Sequence, residues 1–230
     1  MEKLTYYFNK KLFNIEIIRT RNKNMYLKVK ENKVFCSAPI KYSDKDIKEF
    51  VDKYAEKFFN YISKAKQNEL YSLRKNFIYI NGKKYKINRL IGFSKPNIII
   101  QSKKIDIYTK DNEDDSINKI LKNFLKTNTL NYMKIRQKYF EKKMKIQHHD
   151  IRVVYKKSNW GTNMVLLKKI SYSSRIAHFN EEIKDYLIVH ELSHNKHPNH
   201  SKDFWNLVKK YCPNYKILRE KLRESKAEKD

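Results

Sequence analysis

Between positions 190 and 200 the chain reads His190-Glu191-Leu192-Ser193-His194-Asn195-Lys196-His197-Pro198-Asn199-His200, and four of its seven histidines lie there. Residues four apart on a helix share a face, so His190 and His194 can converge on one metal ion. Glu191 then stands beside the open side of that ion, where a carboxylate can take a proton from bound water. Zinc suits the pattern: held by three imidazoles, it lowers the pKa of its water to about 7. A buried histidine pair held by backbone carbonyls is the plainer reading. It leaves Glu191 without a role, and glutamate is seldom buried unpaired.

Such a site needs a third protein ligand. If the helix continued, His197 would share the face of His190 and His194. It would then lie about 10 Å along the axis from His190, too far for ligands about 2 Å from one ion. Pro198 also disfavours helical geometry at His197. The turn through Pro198-Asn199 can bring His200 back from the side. Glu220 and Glu224, on a later helix, are the remote alternatives. The order of preference is His200, then Glu220, then His197.

The elements that hold these residues are readable in outline. Asn180 is suited to cap a helix whose first turn carries Glu181 and Glu182. Ile183, Tyr186, Leu187, Ile188, Val189 and Leu192 make that helix apolar on almost every side, so it should be buried. Ser201 can cap a following helix with Phe204, Leu207, Val208 and Tyr211 on one stripe, ending at Pro213. Upstream, strand-like runs cover 12–20, 25–30, 34–38, 77–80, 83–90, 97–101 and 105–108, with Asn81-Gly82 suited to a hairpin turn. Ser43 with Asp46 resembles a capping box opening a helix through Ile47, Phe50, Val51, Tyr54, Phe58 and Ile62. A long helix is expected from about Ile117 to Lys145, then strands at 151–155, 164–167 and 170–179. The last of these would offer an edge to an extended peptide. The acidic stretch Asp111 to Asp115 suggests a boundary, giving a β-rich region with one long helix (1–112) and a second domain (113–230). No internal repeat stands out.

Composition bounds the partners. The formal charge of +27 invites nucleic acid, because clustered cations displace counterions from phosphates. Yet 43 lysines against 9 arginines, spread along the chain with many Asn and Ile, also fit AT-biased codons. Two distant cysteines, Cys36 and Cys212, suggest a reducing compartment. No run reaches the roughly 18 apolar residues of a membrane span, and the N-terminus lacks a signal-like core. A cytoplasmic protein without a membrane partner is the expectation; oligomeric state is not legible. His148-His149-Asp150 is expected to be a solvated loop.

The run from His190 to His200, continued by Ser201-Lys202-Asp203-Phe204-Trp205, resembles the YgjP-like metallopeptidase family, related to the SprT and WLM groups of minimal zincins. The family signature is His-Glu-x-x-His, five residues, then His-Ser-x-x-Phe-Trp. The resemblance reaches upstream to Trp160-Gly161 and, more loosely, to the N-terminal strands. It implies an α+β fold ending in a minimal zincin-like domain with a small sheet. It also implies His190, His194 and His200 as zinc ligands and Glu191 as catalytic base. Where the family continues Trp-Gly with Ser-Cys, this chain has Thr162-Asn163. The histidine spacing is shared with metzincins, but His197 replaces their glycine and no methionine follows. The expected activity is hydrolysis of peptide bonds in a peptide or protein substrate. The alternatives are a metal-dependent hydrolase of nucleotides or other phosphorylated substrates, and a nucleic-acid-associated protein with a structural zinc. Tyr172, Arg175, His178 and Asn159 are candidate oxyanion partners, each more commonly an ordinary strand or loop residue.

Overall fold

Alternating apolar and polar side chains build the first sheet. The computed structural model describes residues 3–8, 10–30, 33–67, 69–156 and 159–225. Two compact units emerge, one within 1–68 and the other within 69–226. In the first, β1 (Lys3–Phe8), β2 (Lys11–Thr20), β3 (Tyr26–Lys30) and β4 (Lys33–Pro39) pair in the order β1-β2-β4-β3. β2 and β4 are parallel, and the outer pairs are antiparallel. The Ser43 and Asp46 side chains each accept the other residue's backbone N–H, the capping box that starts α1 (Asp44–Gln67). Its residues Ile47, Val51, Ala55 and Phe59, one turn apart, pack with Ile15, Val34 and Cys36.

The second unit begins with β5 (Tyr71–Ser72), β6 (Phe77–Ile80), β7 (Lys83–Ile91), β8 (Asn97–Ile100) and β9 (Lys104–Thr109). They pair in the order β5-β6-β7-β9-β8, and α2 (Asp114–Met144) follows. Without β5, this repeats the first unit: four strands in the order 1-2-4-3, a parallel central pair, then a helix. The registers agree as well. Ile15 faces Val34 and Ile87 faces Ile105; Tyr6 faces Phe13 and Ile78 faces Tyr85; Leu27 faces Cys36 and Ile98 faces Ile107. On the helices, Ile117, Leu121 and Leu125 repeat the spacing of Ile47, Val51 and Ala55. In the sequence the repeat is faint, because most surface positions differ and the core positions keep only their apolar character, with Tyr7 and Tyr79 and Lys11 and Lys83 among the few identities. The expected boundary at 112/113 falls between β9 and α2, inside this unit, where α2 covers Ile105 and Ile107.

A third sheet contains β10 (Asp150–Val154), β11 (Gly161–Met164) and β12 (Lys169–Ser173), in the order β10-β12-β11. The strand expected over 170–179 is therefore cut short. Ser173 Oγ accepts the Arg175 N–H and turns the chain into a 3-10 helix over Ser174–His178. That strand is also central, so the edge beside the following helix belongs to β11. Of the run expected at 164–167, only Met164 is strand, and Val165–Leu167 is a 3-10 turn. Three helices complete the unit: α3 (Glu181–Ser193), α4 (Lys202–Tyr211) and α5 (Tyr215–Glu224). The described residues thus form a mixed α+β structure of small mixed sheets and five helices. None of these helices is long and apolar enough to cross a membrane.

Candidate metal centre

α3 is buried as its composition predicts, and it is fixed at both ends. Asn180 Oδ1 accepts the Ile183 N–H. Asp185 takes a two-point contact from Arg136 of α2 and a 2.9 Å hydrogen bond from the Tyr132 hydroxyl. The β6–β7 turn docks on the stretch before α3: Asn81 N–H donates to Ala177 O and Gly82 N–H to His178 O, both at 2.9 Å. Lys184, 1% exposed, bonds Asn81 Oδ1 and lies over the Tyr132 ring. Burial lowers its pKa to about 8, against the partial opposition of Glu181 and Asp185.

At its far end α3 tightens, with His194 N–H donating to Glu191 O and Asn195 N–H to Leu192 O. The chain turns at Pro198 and returns, and Ser201 Oγ accepts the Phe204 N–H to start α4. One ring nitrogen each from His190, His194 and His200 then lies within 4.8 Å of the others. His190 Nε2 and His200 Nε2 are 3.2 Å apart. Three nitrogens bound tetrahedrally at about 2.05 Å would be about 3.3 Å apart, so this donor set fits a zinc-sized ion. His197, Glu220 and Glu224 lie outside the cluster; Glu220 pairs with Arg223.

Aromatic packing holds the imidazoles. Phe204, fully buried, has its ring centroid 4.7–5.0 Å from all three. Trp205 stacks on His200, Tyr215 stacks on Trp205, and the Arg219 guanidinium lies 4.5 Å from the Trp205 centroid. The backbone of His197 and Pro198, in the turn that returns His200, acts on the His194 ring to favour its protonated form. Burial, then the neighbouring His200, still lowers the His194 pKa, and burial followed by Arg219 lowers that of His200.

Glu191 is 5% exposed and meets β11 at its first residue. A Cβ on Gly161 would lie 2.2 Å from Glu191 Oε1 and 2.6 Å from Cδ, so no side chain fits there without displacing the carboxylate. Asn163, two residues along the same strand, donates from Nδ2 to Glu191 O at 2.7 Å. Trp160 anchors this segment through its indole N–H, which donates to Leu222 O at 3.0 Å. Sequence reasoning gave neither Gly161 nor Asn163 a role at the site. The signal for the first was its rarity, as one of three glycines in the chain, next to Trp160; no strand was expected there.

The candidate oxyanion partners are committed elsewhere. Buried Tyr172 donates to Gln137 Oε1 at 2.8 Å, and Arg175 lies over Trp160 and bonds Ser225 O. His178 Nδ1 donates to Tyr79 O, and exposed Asn159 donates to Thr162. His148-His149-Asp150 is not a wholly solvated loop. Glu141 accepts from Gln137 Nε2 and the His149 N–H and pairs with His148, which buries His149.

A buried helix carrying His-Glu-x-x-His and a returning third histidine together form a candidate metal centre. The profile of the YgjP-like metallopeptidase domain matches residues 23–225, and the chain belongs to that family. Among solved structures it is similar to the metallopeptidase zymogen abylysin of Pyrococcus abyssi, at 21% identity with a TM-score of 0.37. That match covers 39% of this chain and 90% of the other. No curated protein sequence matches.

Proposed function

We propose that this protein is a zinc-dependent peptidase in which His190, His194 and His200 hold the ion and Glu191 is the general base. The convergence of three imidazole nitrogens beside a carboxylate seated against Gly161 carries this reading. When bound, zinc supplies a Lewis acid and an activated water. The chain's own part is positioning and proton transfer. Glu191 takes a proton on a carboxylate oxygen and returns it to the leaving amine nitrogen. β11, the terminal strand of its sheet, accepts an extended peptide along its edge and leads the scissile bond past Gly161. Asn163 keeps that strand in register with the helix turn that bears Glu191.

Metal analysis should find about one zinc per chain, retained in His197→Ala and lost in His200→Ala. Glu191→Gln should keep the zinc and abolish cleavage of denatured protein. Full metal in His200→Ala would remove the ligand assignment. Zinc-dependent turnover of nucleoside triphosphates, lost in Glu191→Gln and without proteolysis, would replace the peptidase reading.

A further inference from the structure

The opposite edge of the same sheet carries a different chemistry. Between α2 and β10 lies a cleft of about 540 Å³, lined by Lys134, Lys138, Arg152 and Lys169 with His148, Ile151 and Asp150. Lys134 and Lys138 stand one turn apart on α2, Lys169 is in register with Asp150 across β10 and β12, and Arg152 is two residues further along. Three of the four cations are exposed, and Lys169 is half-buried. Among the described residues none of the four forms an ion pair. Four like charges around one cleft repel one another, and a bound anion relieves that repulsion. β12 separates this edge from β11, so the cleft is distinct from the histidine cluster.

We propose that this cleft binds the phosphodiester backbone of nucleic acid, independently of base sequence. Charge density argues for the ligand. Duplex DNA carries one charge per about 1.7 Å, whereas a fully acidic extended peptide carries one per about 3.3–3.6 Å. Four cations on two facing elements match the denser polymer, and the net charge of +27 draws it in from a distance. No aromatic ring apart from His148 lines the cleft, so phosphates rather than base faces are contacted. Asp150 is the one opposing charge.

The test is fluorescence anisotropy of the full chain with a labelled 20-base-pair duplex, titrated against salt. Replacing Lys134, Lys138, Arg152 and Lys169 with Ala should weaken binding at least about tenfold at 150 mM salt. It should also lower the salt slope by about 3 to 4, roughly 0.9 per lost phosphate contact. Replacing exposed Lys45, Lys48, Lys53 and Lys57 of α1 with Ala removes equal charge and should cost less than about threefold. Asp150→Asn should bind more tightly. Equal losses in the two quadruple variants, or no gain in Asp150→Asn, would overturn the site. Displacement of DNA by polyglutamate at matched charge would assign the cleft to an acidic protein instead.

Discussion

Glu191 and Gly161 meet from two elements that share no sequence neighbourhood, and the missing side chain at 161 is what lets them meet. Gly161→Ala should lower kcat by at least about a hundredfold, because a displaced general base loses its hydrogen-bonding reach. Zinc stoichiometry should be unchanged, since the three atoms nearest the added methyl group all belong to the Glu191 side chain. Loss of metal in this variant would show that β11 shapes the ligand set instead. Asn163→Ala should lower kcat less, about tenfold, with the metal kept. Steady-state kinetics at matched zinc occupancy measures both. The histidines were legible in the sequence because their spacing is local, held by one helix and one proline turn. Gly161 and Asn163 were not, because their significance depends on a strand paired with β12 and pressed on α3, a contact 28 to 30 positions distant in the chain.

At the scale of elements, the β6–β7 turn is a fixture for α3. Gly82 has φ +77°, and an added Cβ would lie 3.1 Å from the Asn180 Cβ, whereas Gly92, with φ +93°, faces open space. Gly82→Ala should therefore cost more than Gly92→Ala, by about 1 kcal/mol, since both carry the backbone penalty and only the first crowds the helix cap. Denaturant unfolding of the two variants measures the difference. Buried His178 joins the same fixture. Burial, with Arg175 and Lys184 adding to it, lowers its pKa to about 4 despite the hydrogen bond to Tyr79. The unfolded chain therefore takes up the proton first as pH falls. Stability is whole above about pH 6.5 and drops towards pH 4, by up to about 3 kcal/mol from this residue. The pH slope of unfolding should flatten in His178→Asn; an unchanged slope would mean another group titrates. Strands β2, β4, β6 and β7 and helices α1 to α4 could be read from periodicity and caps. The shortening of β12 could not, because a run as apolar as Ile170 to Phe179 suits a strand until the Ser173 hydroxyl captures the next turn. Nor could its central place, which is set by pairing with residues far along the chain.

For the whole molecule, every proposed ligand and the proposed base lie within residues 69–226, with their supporting sheet and helices. A chain beginning at Glu69 should bind one zinc and unfold in a single cooperative transition; failure to bind metal would show that the first unit completes the fold. The repeated four strands and helix give this a further consequence. One copy is bound to its surroundings: its turn grips Asn180 and Lys184, and its helix clamps Asp185. Substitutions there are transmitted to α3. The other copy carries the same buried pattern and none of the proposed ligands. Under mutation and selection for activity, the two copies should drift at different speeds. The copy within residues 1–68 should keep its core, at Ile15, Val34, Cys36, Ile47 and Val51, and change faster elsewhere.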